Sequence, residues 1–176
     1  MIGISKLYCG TVEPSDALRY GRHSGLLPSH LLQFSRDKKP VVVWNVTRRC
    51  NLKCVHCYAH AKDEIFPDEL SSREGKALLD DLARFGCPVV LFSGGEPLMR
   101  ADLIDLAAYA VDRGMRAVIS TNGTLITASM AEELKKVGLS YVGISLDGLD
   151  EVNDRFRGVK GAFAKNLYIA YYCQVV

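Results

Sequence analysis

The chain has 176 residues, 48% apolar and 24% charged, a balance that suits one globular domain with a core of its own. Its formal net charge of +2 is too mild to argue for binding to nucleic acid or to an anionic membrane, and no apolar run approaches the ~20 residues of a bilayer crossing. The amino terminus, Met1 to Leu7, lacks a sustained apolar stretch and soon meets Gly10, Glu13, Pro14 and Asp16, so we read no secretory signal and expect a cytoplasmic protein.

Residues 1–39 form a polar, basic leader, read as an N-terminal extension to a core domain over 40–176. Ser29 to Phe34 suits one helical turn after Pro28. Arg19, Arg22, Arg36, Lys38 and Lys39 would suit an anionic ligand as well as a solvated surface. From Pro40 the pattern becomes regular. Val41–Thr47 is a continuous, largely β-branched run, expected as a parallel strand buried on both faces. Ser71 and Glu74 have capping-box spacing and open a helix with Leu78, Leu79, Leu82 and Phe85 on its apolar face, stopped by Gly86. Val89–Phe92 reads as a second strand, and Asp102 to Arg113 as a second helix closed by Gly114. A third strand over Ala117–Ser120 precedes a helix from Thr127 to Val137, stopped by Gly138. Tyr141–Leu146 is the fourth strand, and a fourth helix is expected near Gly161, with a solvated loop as the plain alternative to a functional reading of Asp154, Arg155 and Arg157.

Strand–helix units with short connections indicate an α/β fold with a parallel sheet. The polar motifs follow the carboxyl ends of strands, where parallel α/β folds gather their sites. Cys50, Cys54 and Cys57 stand at C-x3-C-x2-C after the first strand; Ser93-Gly94-Gly95-Glu96-Pro97 follows the second. Thr121-Asn122-Gly123 follows the third, and Ser145-Leu146-Asp147-Gly148 ends the fourth.

The chain has six cysteines, but this trio is too crowded for a useful disulfide framework. Cys9, Cys87 and Cys173 stand alone, as small buried hydrophobes often do. Three thiolates on one loop leave two readings open. Zinc would need a fourth ligand, from His56, His60 or Cys87. An iron–sulfur cluster would keep one iron free for a substrate or cofactor. In Gly94-Gly95-Glu96 the glycines would let backbone approach a ligand, and the carboxylate could accept hydrogen bonds from an ammonium.

Taken together, these motifs resemble the radical S-adenosylmethionine (SAM) superfamily. The resemblance implies a partial (βα) barrel, with about four of six βα units present. It implies a 4Fe–4S cluster on Cys50, Cys54 and Cys57, whose open iron is chelated by SAM. It further implies that Gly94, Gly95 and Glu96 hold the SAM amino group and that His56 lies against the adenine. Asn122, Ser145 and Asp147 would help hold ribose and carboxylate, and Arg157 would approach the carboxylate. Reductive cleavage would give a 5′-deoxyadenosyl radical, with electrons from a donor such as flavodoxin or ferredoxin. The segments Met1–Gly10, Leu18–Arg22 and Ser29–Phe34 look like the radical SAM enzymes of the alternative haem and d-type haem pathways. That narrower resemblance implies a tetrapyrrole substrate, and removal of acetate side chains from didecarboxysirohaem to give iron-coproporphyrin. Arginine forks in the leader would pair with its carboxylates, and His23 or His30 could meet its iron. Compared with that family the chain lacks two strand–helix units and a cysteine-rich carboxyl-terminal extension, so we expect a truncated product. A peptide-modifying radical SAM maturase and an inactive metal-binding fragment are the competing expectations.

Overall fold

The computed structural model describes residues 39–175, the last five by backbone alone. Four strands, β1 (Val42–Thr47), β2 (Val89–Gly94), β3 (Arg116–Thr121) and β4 (Tyr141–Ile144), form one sheet in the order β1-β2-β3-β4. Every neighbouring pair is parallel. Helices α1 (Ser72–Phe85), α2 (Leu103–Asp112) and α3 (Ala128–Lys136) connect successive strands. Strand order equal to chain order is what repeated crossovers of one hand produce.

The helix boundaries follow their caps. Ser71 Oγ accepts from Glu74 N at 3.3 Å while Glu74 Oε2 accepts from Ser71 N at 2.9 Å, a complete capping box at the start of α1. Thr127 Oγ1 accepts from Met130 N at the start of α3. The core joins Leu79 of α1, Leu103, Leu106 and Ala110 of α2 and Leu134 of α3 to Trp44, Val46, Val90, Phe92, Ala117 and Ile119 of the sheet. Each large apolar side chain buried there contributes about 1.5–3 kcal/mol relative to exposure.

Among the described residues that core lies on one face only, which corrects the expectation for the first strand. Trp44, Phe92, Ile119 and Val142 are in register on the helix-covered face; Val43, Leu91, Val118 and Tyr141 are in register on the other. Val43 is 56% exposed and Tyr141 64%. β-Branched residues favour extended backbone whether or not both faces are covered, so the run alone did not report how many layers pack on it.

A second correction concerns the stretch for which a solvated loop is the plain alternative. Residues Asp150–Arg157 form a helix, α4, followed by α5 (Ala162–Val175), and β4 ends at Ile144 rather than Leu146. Leu149 at the N-cap makes no side-chain cap bond. The signal was in the charges: Asp150 and Glu151 occupy the first turn and Arg155 and Arg157 the last, as the helix dipole favours. Asp154 is not a solvated loop residue either. Its Oδ1 accepts from Phe163 N at 2.8 Å and its Oδ2 from Gly161 N, which ties α4 to the start of α5. These backbone bonds hold the Asp154 carboxyl below its usual range.

Candidate metal and cofactor site

A cavity of about 490 Å³ opens at the carboxyl ends of the strands, and Cys50, Cys54, Cys57, His56, Gly94, Gly95, Asn122, Ser145, Asp147 and Arg157 all line it. One expected member is missing. Glu96 is fully buried behind the glycines and lies outside that lining.

The cysteine loop is held by backbone bonds to β2's end. Gly95 N donates to Thr47 O and Glu96 N to Arg49 O, both at 2.8 Å. Here the glycines have a reason that their residue type alone does not reveal. A Cβ on Gly94, at φ +132°, would lie 2.2 Å from Thr47 O, and one on Gly95 would lie 2.4 Å from Arg49 O. Their missing side chains let the loop that carries the cysteines dock against the strand.

Glu96 clasps the next strand. Its Oε1 accepts from Thr121 Oγ1 at 2.7 Å and Leu98 N at 3.1 Å, and its Oε2 accepts from Asn122 N at 2.7 Å. Burial pushes its carboxyl above the usual range, while these bonds and the nearby Arg157 charge pull the other way. The carboxylate expected to meet a ligand's ammonium is instead satisfied by protein donors. A sequence motif names the residue type at a strand end but not which way the side chain turns.

Asn122 reaches back to the cysteine loop. Its Nδ2 donates to Asn51 Oδ1 at 2.9 Å and lies 3.9 Å from Cys50 Sγ, while its Oδ1 accepts from Thr124 N and Oγ1. Each thiol sulfur has a nitrogen donor: Leu52 N at 3.4 Å from Cys50, Arg157 Nη1 at 3.8 Å from Cys54, Ala61 N at 3.4 Å from Cys57. Burial also pushes the Cys50 thiol upward, so ligation there must displace a proton.

On the far wall, Asp147 Oδ2 is 2.7 Å from Arg157 Nε, and Asp147 Oδ1 is 3.5 Å from His56 Nε2. The Arg157–Asp147 approach is close but poorly aligned for a hydrogen bond. The His56 ring stands edge-on to Phe156, with 5.7 Å between centroids. Asn153, wholly buried, presents Oδ1 to Asp147 N at 3.0 Å and so fixes the loop after β4. Neither Asn153 nor Thr121 was singled out from sequence; a polar residue at helical spacing carries no mark of burial.

Three cysteines on one loop are a donor set that suits a cluster with one iron left open. Among the described residues, no three Cys, His, Asp or Glu side chains gather tightly enough to ligate one metal ion. A cubane takes its thiolates at separate corners, whereas zinc draws them all to about 2.3 Å. Cys87 is not available as a fourth zinc ligand, since it is buried with its Sγ against Pro40 O and Val89 O. Arg19, Arg22, His23, His30, Arg36 and Lys38 lie outside the described residues, as do Cys9 and the expected turn after Pro28.

Residues 44–174 match the Radical SAM superfamily, and the chain belongs to that family, whose cofactors are a 4Fe–4S cluster and SAM. Among curated proteins it is 75% identical over 174 residues to Fe-coproporphyrin III synthase of Methanosarcina barkeri, covering 99% of this chain and 44% of that one. It is 49% identical over 129 residues to pre-heme d1 synthase of Dinoroseobacter shibae, covering 73% of this chain and 32% of that one. The chain thus spans less than half the length of these relatives. Among solved structures, anSMEcpe with bound AdoMet superposes with a TM-score of 0.63 at 23% identity, over 77% of this chain and 40% of that one. That likeness shows the fold: four parallel strands alternating with helices, the partial radical SAM barrel expected from the motifs. Among the described residues no helix is long and apolar enough to cross a membrane.

Proposed function

We propose that this chain is the cluster- and SAM-binding portion of an enzyme of haem biosynthesis that removes two acetate side chains from didecarboxysirohaem to give iron-coproporphyrin. Its high identity to Fe-coproporphyrin III synthase across nearly its whole length supports this substrate over a peptide. The observation that carries the cofactor reading is one cavity lined both by the three cysteines and by residues from the ends of β2, β3 and β4.

Cys50, Cys54 and Cys57 would hold the cluster. When bound, the cluster and SAM supply the reducing electron and the 5′-deoxyadenosyl radical. Gly94 and Gly95 would offer backbone to the methionyl group, with Ser145 and Asp147 opposite them. His56, which also lines the cavity, would pack against the adenine. Glu96 and Asn122 would serve by fixing the strand end and the cysteine loop to each other rather than by reaching the ligand. Residues 1–39 would form an extension to the core domain, with the leader's arginines pairing with substrate carboxylates. A small electron-transfer protein such as flavodoxin or ferredoxin would reduce the cluster.

Anaerobic reconstitution tests the first half. Roughly four irons and four sulfides per chain are expected, with 5′-deoxyadenosine formed on reduction with SAM and none from Cys54→Ala. Zinc bound without sulfide would defeat the reading. Difference spectra with didecarboxysirohaem test the second half: a response that Arg22→Ala and His23→Ala together leave unchanged would remove the leader from the substrate site.

A further inference from the structure

The short helix α4 contributes more to the site than one wall residue, because its end is bonded directly to the middle of the cysteine loop. Lys53 N donates to Arg157 O at 3.1 Å and Val55 N to Phe156 O at 2.9 Å, one bond on either side of Cys54. A Cβ on Gly158 would lie 2.4 Å from Lys53 O, so the two segments are packed backbone to backbone. This clasp presents the Arg157 side chain to the cysteine it brackets, with Nη1 3.8 Å from Cys54 Sγ. Arg157 is 8% exposed, and Asp147 pairs with its guanidinium from the Nε side.

Resting on the cluster reading above, we infer that Arg157 is a positioning and redox-tuning residue that donates a charge-assisted hydrogen bond to the Cys54 thiolate. The other two thiols receive neutral donors, Leu52 N and Asn122 Nδ2 at Cys50 and Ala61 N at Cys57. Of the three, Cys54 is the one that faces a cation. Hydrogen bonds and positive charge at cluster sulfurs draw electron density from the core and favour the reduced state, and a charged donor is about twice as strong as a neutral one. Arg157 would therefore raise the potential of the bound cluster and make it easier to reduce. Asp147 sets the guanidinium's direction without touching the sulfur.

Potentiometric titration of the reconstituted 176-residue chain, followed by electron paramagnetic resonance, tests this after iron and sulfide have been counted. In Arg157→Gln the ratio of reduced to oxidised cluster at a fixed potential is expected to fall about tenfold, equivalent to a downward shift of about 59 mV for one electron. In chain carrying 15N-labelled arginine, the reduced cluster should show a nitrogen coupling that Arg157→Lys abolishes. Full cluster content with a ratio changed less than twofold in Arg157→Gln would overturn the tuning role. Absence of the coupling in the labelled parent chain, a measurement that does not depend on any variant folding, would overturn the hydrogen bond. A parent chain that takes up no cluster would overturn both this role and the cofactor reading beneath it.

Discussion

Strands β2 and β4 end in motifs of similar look, Gly-Gly-Glu and Ser-Leu-Asp-Gly, yet the two ends do different work. β2 runs between two neighbours, and although Gly94 and Gly95 line the cavity the acid that follows them is packed away: Glu96 is fully buried, and each of its carboxylate oxygens accepts a hydrogen bond from protein. β4 has one neighbour in the described sheet, and the loop after it stays wet, with Leu146 52% exposed and Leu149 73%. A polar motif flanked on both sides becomes part of the scaffold, because every buried polar atom must find a partner there. The motif after β4 instead lines the cavity, with Asp147 paired there to Arg157 and His56. The cysteine loop is positioned by the first kind of end and served by the second.

The sharpest break of this comparison is Glu96→Ala. It leaves Thr121 Oγ1, Asn122 N and Leu98 N without their acceptor, and buried donors stranded in this way cost about 1–3 kcal/mol each. We expect a loss of about 4 kcal/mol in urea unfolding, less than the plain sum because water can enter the vacated space. A loss below about 1 kcal/mol would mean that the β2 end is not the scaffold described. Gly94→Ala should come next, at about 3 kcal/mol, since it adds a Cβ 2.2 Å from Thr47 O at a φ that L-residues resist. Thermal unfolding reads the stability, and iron content after reconstitution should fall with it, because the strained contact is the one that seats the cysteine loop.

A smaller effect separates the charge of Glu96 from its bonds. Burial places its folded-state pKa above the ordinary 4.5, so the folded protein binds that proton more tightly than the unfolded chain does. The resulting stabilisation is complete below about 4.5 and is lost as the pH rises through the raised value. Glu96→Gln cannot ionise. Its stability gap to the parent chain, followed by urea midpoints from low to neutral pH, should therefore narrow as the pH rises; a widening gap would reverse the sign. Ser145→Ala is the mildest to the fold. On the open side of the comparison it should cost no more than about 0.5 kcal/mol in stability. Removing one ligand hydrogen bond should nevertheless weaken SAM binding roughly tenfold by equilibrium titration. Unchanged affinity would take Ser145 out of the site.

Much of the site was readable before any geometry. C-x3-C-x2-C is a spacing with chemical meaning, since three ligands from one loop leave a cluster one ligand short. The strand-end motifs were recognisable because parallel sheets gather their polar residues there. Less visible was the division of labour among those residues. Glu96 and Asp147 look alike in sequence, each an acid beside glycine, and only their neighbours decide that one supports and the other faces the cavity. Helix α4 was hidden for another reason. Its eight residues are mostly charged, and its N-cap residue, Leu149, makes no capping bond, so neither periodicity nor a cap announced it.

The local chemistry is what the sequence by itself determined: the four strands and the three helices between them, the capping box of α1, and the three thiols with the polar motifs around them. These depend on interactions within a few residues, where residue type and spacing suffice. Tertiary structure alone decided that the described residues build the core on one face of the sheet, that Gly94 and Gly95 are needed for packing of backbone on backbone, and that Arg157 meets Cys54 across 103 positions of chain. Such contacts depend on which elements the folded chain brings together, and no short window of sequence contains both partners.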